Sequence, residues 1–480
     1  MRFSVILRYV GTVMLCLSAI MAVSAGISLV SNDTGFYPLL LSALLTLLLG
    51  VFPMIFVSKA TNITTKEGFM IVVGSWVVSC VVGMFPYLIW GGEFSLVNAW
   101  FESVSGFTTT GASILTNIEA LPQGLLFWRS ATNWVGGVGV VMFALLVLPS
   151  LGTNKMALSG IEMSSLAKDN YRYRTQMVAK ILLTIYIGLT IVTTIALKFA
   201  GMRWFDALNH AMSACATGGF STKNASVGFY DSSLIEWVLI VAMFLSSLHY
   251  GLIYSTFTRK ANNIFRSEVV RVYVAIIAFV SVAMAANLYL SDVYPNMLTS
   301  LRQSVFQTVS IISTTGFATA NTNLWTPLAV VLLICVSIVC ACAGSTSGGL
   351  KVDRVLLFGK VFIARIKQQQ HPNAVLRIRV DGVLQDNSQL HAAMLFIALY
   401  FFIILLATIV NAMFGQDLLT SFSSAVSCIG NVGPGFGAVG SVSNFASQPV
   451  VLKLQDTVLM LMGRLEIFGF IQFMFIKLWR

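Results

Sequence analysis

Phe107-Thr-Thr-Thr-Gly-Ala112 is a small, polar, glycine-bearing stretch set between two long apolar runs, and it recurs. Cys215-Ala-Thr-Gly-Gly-Phe220, Ile312-Ser-Thr-Thr-Gly-Phe317 and Ile429-Gly-Asn-Val-Gly-Pro434 share its character and its setting. Aligned on one glycine, they put Gly111, Gly219, Gly316 and Gly433 at spacings of 108, 97 and 117 residues. Near-equal spacing of a loop at membrane depth predicts one pore assembled from four covalently joined copies of a single unit. Any one stretch alone also reads as a membrane turn rich in glycine and threonine; four at matching positions do not.

Composition sets the solvent. The 480 residues are 57% hydrophobic and 10% charged, with seven cysteines, and the mean hydropathy is +0.85. Apolar runs of bilayer-spanning length lie near 4–30, 36–57, 69–90, 123–150, 177–200, 233–257, 270–290, 326–366, 391–414 and 449–476. They predict an all-α membrane protein with ten transmembrane helices. The first run follows Met1 and Arg2 but is longer than the apolar core of a signal peptide, with no small-residue cleavage site after it. It is read as a retained helix.

The net charge of +11 is an orientation signal. With the amino terminus inside, the connections near 58–68, 151–180, 258–271 and 351–390 and the two termini hold 22 of the 29 Lys and Arg. The outer loops are left Arg129, Lys198, Arg203, Lys223, Arg302 and Lys453, and Arg464 lies within the last span. This is the positive-inside bias, with both termini cytoplasmic; no nucleic-acid partner is implied. The cysteines sit in apolar or loop sequence without paired spacing, and the four histidines are scattered, so neither a metal centre nor a catalytic constellation is expected.

Residues 1–65 read as a two-helix appendage, followed by four pore repeats at 66–165, 166–262, 263–385 and 386–480. Each repeat runs span, short amphipathic stretch, glycine loop, span. The short stretches, 96–106, 205–215, 301–312 and 418–429, suit half-membrane helices surrounded by protein. Irregular backbone after them is tolerated at that depth only where it lines a water-filled cavity. Glycine at the aligned position suits a backbone whose carbonyls converge on one axis, where a Cβ is disfavoured. Carbonyl rings replace a cation's hydration shell, and no loop carries a basic residue, so an anion pore is not expected.

Two segments break the membrane pattern. Cys342-Ala-Gly-Ser-Thr-Ser-Gly-Gly-Leu350 puts three glycines and three hydroxyl residues inside the eighth run, where helix propensity is poor. The third repeat's second helix is therefore expected to open into an intramembrane loop where a gate belongs; a kink without a gating role is the alternative. Arg464 and Glu466 lie in the last run, two residues apart and so on different faces. Arg464 either projects into the pore below the loops or bonds backbone carbonyls of neighbouring helices. Gly435-Phe-Gly-Ala-Val-Gly440 matches a dinucleotide fingerprint, but no βαβ unit surrounds it.

In this order, the motifs resemble the Trk/Ktr/HKT superfamily of cation transporters. The resemblance covers essentially the whole chain, including the additional two-helix start, the four loops, Ala343-Gly-Ser-Thr-Ser-Gly-Gly-Leu-Lys-Val-Asp-Arg354 and Gly463-Arg-Leu-Glu-Ile-Phe468, which runs on to Trp479-Arg480. It implies potassium uptake across a bacterial inner membrane. The K⁺ ion would sit in a selectivity filter formed by Thr109, Thr110 and Gly111; Thr217, Gly218 and Gly219; Thr314, Thr315 and Gly316; and Asn431, Val432 and Gly433. In the family, glycine at all four aligned positions accompanies potassium preference and serine in the first accompanies sodium.

The resemblance further implies a gate loop of Ala343, Gly344, Ser345, Thr346, Ser347, Gly348 and Gly349, with Arg464 as the pore charge. It implies a homodimer carrying a cytosolic TrkA-like regulatory ring on inner loops such as 151–180 and 351–390. A nucleotide, ATP/ADP or NAD, is expected only on that partner. Two departures stand out: Ser347 occupies a position where the family commonly has glycine, and the second loop carries an extra glycine and one threonine. Alternatives are a Na⁺-permeable relative or an H⁺- or Na⁺-coupled symporter of the same fold. A scaffold role would leave four polar loops at bilayer depth without purpose.

Overall fold

The computed structural model describes residues 2–58, 64–147, 175–258, 263–373 and 377–474. Most of the basic connection at 151–180, the repeat boundary near 165 and the Trp479-Arg480 end lie outside the described residues. So do residues 259–262 of the third basic connection.

Among the described residues the chain is helical apart from one small hairpin, Arg379–Val380 with Val383–Leu384, in register Arg379↔Leu384. Asp381 and Gly382 form its turn at φ 50° and 80°. An Asp-Gly pair with both residues at positive φ is the preferred two-residue connection. The all-helical expectation did not include this hairpin.

Among the described residues six helices are long and apolar enough to cross a membrane, or seven if one bent pair counts as a single span. Apolar side chains face outward, among them Leu48, Phe52, Ile55 and Phe279, while the hydroxyls of the glycine loops are buried. That inversion of the soluble pattern suits a hydrocarbon surround.

The helices Phe3–Val30 and Phe36–Phe56 form an opening hairpin. Gly11 and Gly50 face each other at their crossing, with no room for a side chain beyond either Cα; small residues allow such backbone approach without a hydrophobic drive. The hairpin packs on the helices Thr65–Gly83 and Gln123–Val147.

Four short helices stand at the four expected half-membrane stretches: Leu96–Phe107, Trp204–Cys215, Met297–Ile312 and Leu418–Gly430. At 1.5 Å per residue a 12-residue helix reaches about 18 Å, roughly half a bilayer core. The first and last are capped at their N-termini by Ser95 and Asp417, whose side chains accept from the amides of Asn98 and Thr420. The third begins four residues before its expected start.

The second spans depart most from expectation. A break was expected in the third repeat alone, yet all four are interrupted. Gln123–Val147 kinks at Gly139 (φ 44°, ψ −157°). Ser233–Ser246 turns through 99° into Tyr250–Phe257. Pro327–Val339 ends at Cys340 (φ 59°), and helix resumes only with Val352–Gln370. Val450–Arg464 ends before Glu466 (φ 57°) and restarts as Ile467–Met474. Each break has its own cause: glycine in the first, a histidine cap at His249 in the second, and a left-handed residue in the third and fourth.

Candidate ion site

The four short helices end alike. The residue two before each aligned glycine is left-handed: Thr109 (φ 52°), Thr217 (54°), Thr314 (61°) and Asn431 (54°). Each aligned glycine follows at positive φ: Gly111 81°, Gly219 73°, Gly316 77° and Gly433 100°. The intervening amides fold back onto the helix. Thr110, Gly218, Thr315 and Val432 donate to the carbonyls of Ser105, Ser213, Ser310 and Ser427, each at 2.9 Å. This is the six-to-one closure of a Schellman cap. It satisfies the amides within each unit and leaves the loop carbonyls free to point elsewhere.

Where they point is set by the glycines. A Cβ on Gly111 would overlap the carbonyl oxygen of Gly218; on Gly219, that of Thr315; on Gly316, that of Val432; on Gly433, that of Thr110. The relationship runs first loop to second, second to third, third to fourth and fourth back to first. Four loops so related close a ring, with each glycine lodged against the carbonyl that precedes the next loop's glycine. A non-glycine residue in the left-handed region costs on the order of 1–2 kcal/mol. Three threonines and an asparagine accept that cost here because the helix caps and neighbouring loops hold them.

The segment 343–350 packs against this ring. Thr346 Oγ1 donates to the carbonyls of Cys215 (3.1 Å) and Ser246 (3.3 Å), and Gly348 N reaches Thr314 Oγ1 at 3.4 Å. A Cβ on Gly348 would overlap the Asn431 side chain. The segment is tied at its base by Ala343 N to Asp353 Oδ2 (2.6 Å) and Val352 N to the Ala341 carbonyl (3.0 Å). Lys351 Nζ donates to the Ser347 carbonyl, and Ser345 and Ser347 share a hydroxyl bond of 2.6 Å. Two backbone bonds, Cys342 N to Ser247 O and Tyr250 N to Gly344 O, dock it into the break between Ser233–Ser246 and Tyr250–Phe257.

Arg464 reaches the same segment. Its guanidinium donates to the carbonyls of Thr346 and Gly136 and, at 3.3 Å, Gly137. This matches the backbone-carbonyl alternative, with one of those carbonyls belonging to the loop beside the ring. Glu466 finds a separate partner in Arg354 at 2.9 Å, and Arg354 lies 3.9 Å over the Phe396 ring.

The family described as TrkH, cation transport protein, matches residues 42–479. The chain is 37% identical over 422 residues to the Trk system potassium uptake protein TrkH of Salmonella typhimurium, covering 87% of each. It is 34% identical to TrkH of Escherichia coli over the full length of both. The crystal structure of the potassium transporter TrkH from Vibrio parahaemolyticus superposes with TM-score 0.90 at 31% identity, covering all of both chains. The chain belongs to the TrkH family.

Several determinants of this TrkH-family ring were not anticipated from sequence. Serine stands six residues before every aligned glycine, at Ser105, Ser213, Ser310 and Ser427. Ser310 and Ser427 also donate from their hydroxyls to the carbonyls of Phe317 (2.6 Å) and Gly433 (2.8 Å). The identical offset was a usable signal. Gly136 and Gly463 press against the carbonyls of Phe107 and Ile429, which are equivalent positions of the first and fourth short helices. Four cations assigned to outer loops lie in helices instead. Arg129 is within Gln123–Val147, Lys198 in the last turn of Thr175–Phe199, Arg302 within Met297–Ile312 and Lys453 within Val450–Arg464. Arg302 pairs with Glu236 at 3.0 Å, and Lys453 donates to Asn98 and the Ala446 carbonyl. Among the described residues no group of three or more His, Cys, Asp or Glu could hold a metal ion.

Proposed function

We propose that this protein takes up potassium across a bacterial inner membrane through a K⁺-selective pore formed at the ring of four glycine loops. The reading makes residues 1–65 a supporting hairpin and 66–165, 166–262, 263–385 and 386–480 four repeats in pseudo-fourfold arrangement, with ten membrane crossings and cytoplasmic termini. The observation that carries it is the closed cycle in which each loop's glycine abuts a carbonyl of the next loop. Backbone oxygens held in such a ring replace the hydration shell of a dehydrated cation, and the negative ends of the short helices face the same point. The relatives named as potassium uptake proteins support potassium as the ion.

In this reading Thr109, Thr110, Thr217, Gly218, Thr314, Thr315, Asn431 and Val432 supply the ion's ligands. The segment 343–350 is the gate, supported by its contacts with Cys215, Thr314 and Asn431. Arg464 holds a positive charge beside it. The protein works as a homodimer under a cytosolic TrkA-like ring that carries the nucleotide.

Purified protein in liposomes, with K⁺ and Na⁺ flux measured against imposed voltage, tests the proposal. K⁺ flux should exceed Na⁺ flux severalfold, and Gly111→Ser should admit Na⁺. Equal K⁺ and Na⁺ flux in the unaltered protein would overturn the potassium assignment.

A further inference from the structure

Behind the ring, the first two loops are joined by one buried guanidinium. Arg129, 1% exposed, bonds Glu102 of the first short helix at 2.7 and 2.8 Å. The same group donates to Ser113 Oγ and to the Ser221 carbonyl, each at 3.2 Å, and lies 4.1 Å over the Phe220 ring. Ser113 and Ser221 are equivalent residues, two beyond Gly111 and Gly219. Phe220 directly follows Gly219. One side chain therefore grips both loops immediately past their glycines.

The guanidinium grip is on the first and second loops; Ala318 of the third is tied across through its backbone instead, donating to Ser226 Oγ (3.2 Å) and accepting from Gly228 N (3.0 Å). Ser113 is held from its own short helix by Glu102 (3.0 Å), and Ser221 by the equivalent His210 (2.9 Å). The third and fourth loops carry Ala318 and Gly435 at that position. There the ascending chain is pinned one residue later, Thr319 to Gln303 at 2.5 Å and Phe436 N to Ser423 Oγ at 2.9 Å. The gap between the first two loops is thus set by a rigid fork, and the carbonyl of Gly218 lies in that gap.

We propose that Arg129 is a positioning residue for ion selectivity, holding the first and second loops at the separation that distinguishes K⁺ from Na⁺. This rests on the ring acting as the filter. The Arg129–Glu102 pair is neutral as a whole, so its contribution is geometric: a planar fork with five N–H donors reaches four partners at once, which an ammonium cannot do. A smaller ion requires the ring to contract; a spacing held from behind resists contraction.

Arg129→Lys tests this, because it keeps the charge opposite Glu102 while losing the fork. K⁺ and Na⁺ flux are measured in liposomes beside Arg302→Lys, a comparable change at the pair with Glu236. Arg129→Lys is expected to lower the K⁺/Na⁺ flux ratio about tenfold with K⁺ flux retained, and Arg302→Lys to leave the ratio unchanged. A thermal midpoint lowered in Arg129→Lys without a change in ratio makes the residue purely structural and overturns the proposal. If Arg129→Lys does not fold, Ser113→Ala, which removes one grip and no charge, should lower the ratio in the same direction, and an unchanged ratio there is equally fatal. Failure of the filter reading is separate: it appears as an unselective unaltered protein.

Discussion

Arg464 donates through its guanidinium to the carbonyl of Thr346, joining the end of the helix Val450–Arg464 to the centre of the segment that packs against the ring. Its other bonds, to Gly136 and Gly137, reach the second span of the first repeat. One cation thus links three of the proposed repeats beside the proposed ion path, where a fixed positive charge opposes cations. Arg464→Ala is expected to raise K⁺ flux severalfold in liposomes. Arg464→Lys, which keeps the charge but loses the planar fork that spans these carbonyls, should raise it less. Unchanged flux in both variants at normal expression removes Arg464 from the conduction path.

Deletion of Ser345, Thr346 and Ser347 removes the hydroxyl bonds that seat the loop against Cys215 and Ser246. Basal K⁺ flux should rise and depend less on the regulatory subunit, measured with and without that subunit present. A folded variant with no flux at all contradicts the gate assignment.

Gly219 combines φ 73° with a neighbouring Thr315 carbonyl that a Cβ would overlap. Gly219→Ala therefore meets backbone strain of roughly 1–3 kcal/mol and displaces an oxygen of the ring. K⁺ flux should fall by about tenfold or more, since 1.4 kcal/mol corresponds to a factor of ten. Gly188 has open space around its Cα, inside the helix Thr175–Phe199. Gly188→Ala is expected to keep full flux and to gain up to about 1 kcal/mol of stability from helix propensity. Equal losses in the two variants would mean that ring geometry is not what Gly219 protects.

The ring was legible in the sequence because its determinants are local: a glycine with small polar neighbours, repeated at one spacing, between runs whose apolar length is itself diagnostic. The loop at 343–350 was legible for the same reason, since its glycines lower helix propensity wherever they stand. The breaks at Gly139, Ser247–His249 and Glu466 were not. Those segments are apolar enough to read as continuous, and their interruptions are held by bonds between repeats, such as Cys342 N to the Ser247 carbonyl. Arg129 was misread because a cation in an apolar chain is most simply assigned to water. Its partner Glu102 lies 27 residues earlier on another helix, and only the packing of the two helices brings them together.

Glu466 and Arg354 pair at 2.9 Å, with side chains 19% and 8% exposed, across the junction between the last helix and the end of the loop segment. Arg354 also donates to the Leu350 carbonyl, so the pair clamps the point where the loop returns to helix. Removing one member of such a pair strands the other charge in a poorly solvated site, which costs more than the pair itself contributes. Glu466→Gln should therefore destabilise the protein by about 1–3 kcal/mol, seen as a lower thermal midpoint in detergent. Arg354→Met in the same chain removes the stranded cation and keeps an apolar stem against Phe396. The double variant is expected to recover part of the loss, giving a favourable coupling energy between the two changes. Additive losses would show that each residue acts through other neighbours, and the clamp at the loop's end would then have to be sought in Lys351 and Asp353 instead.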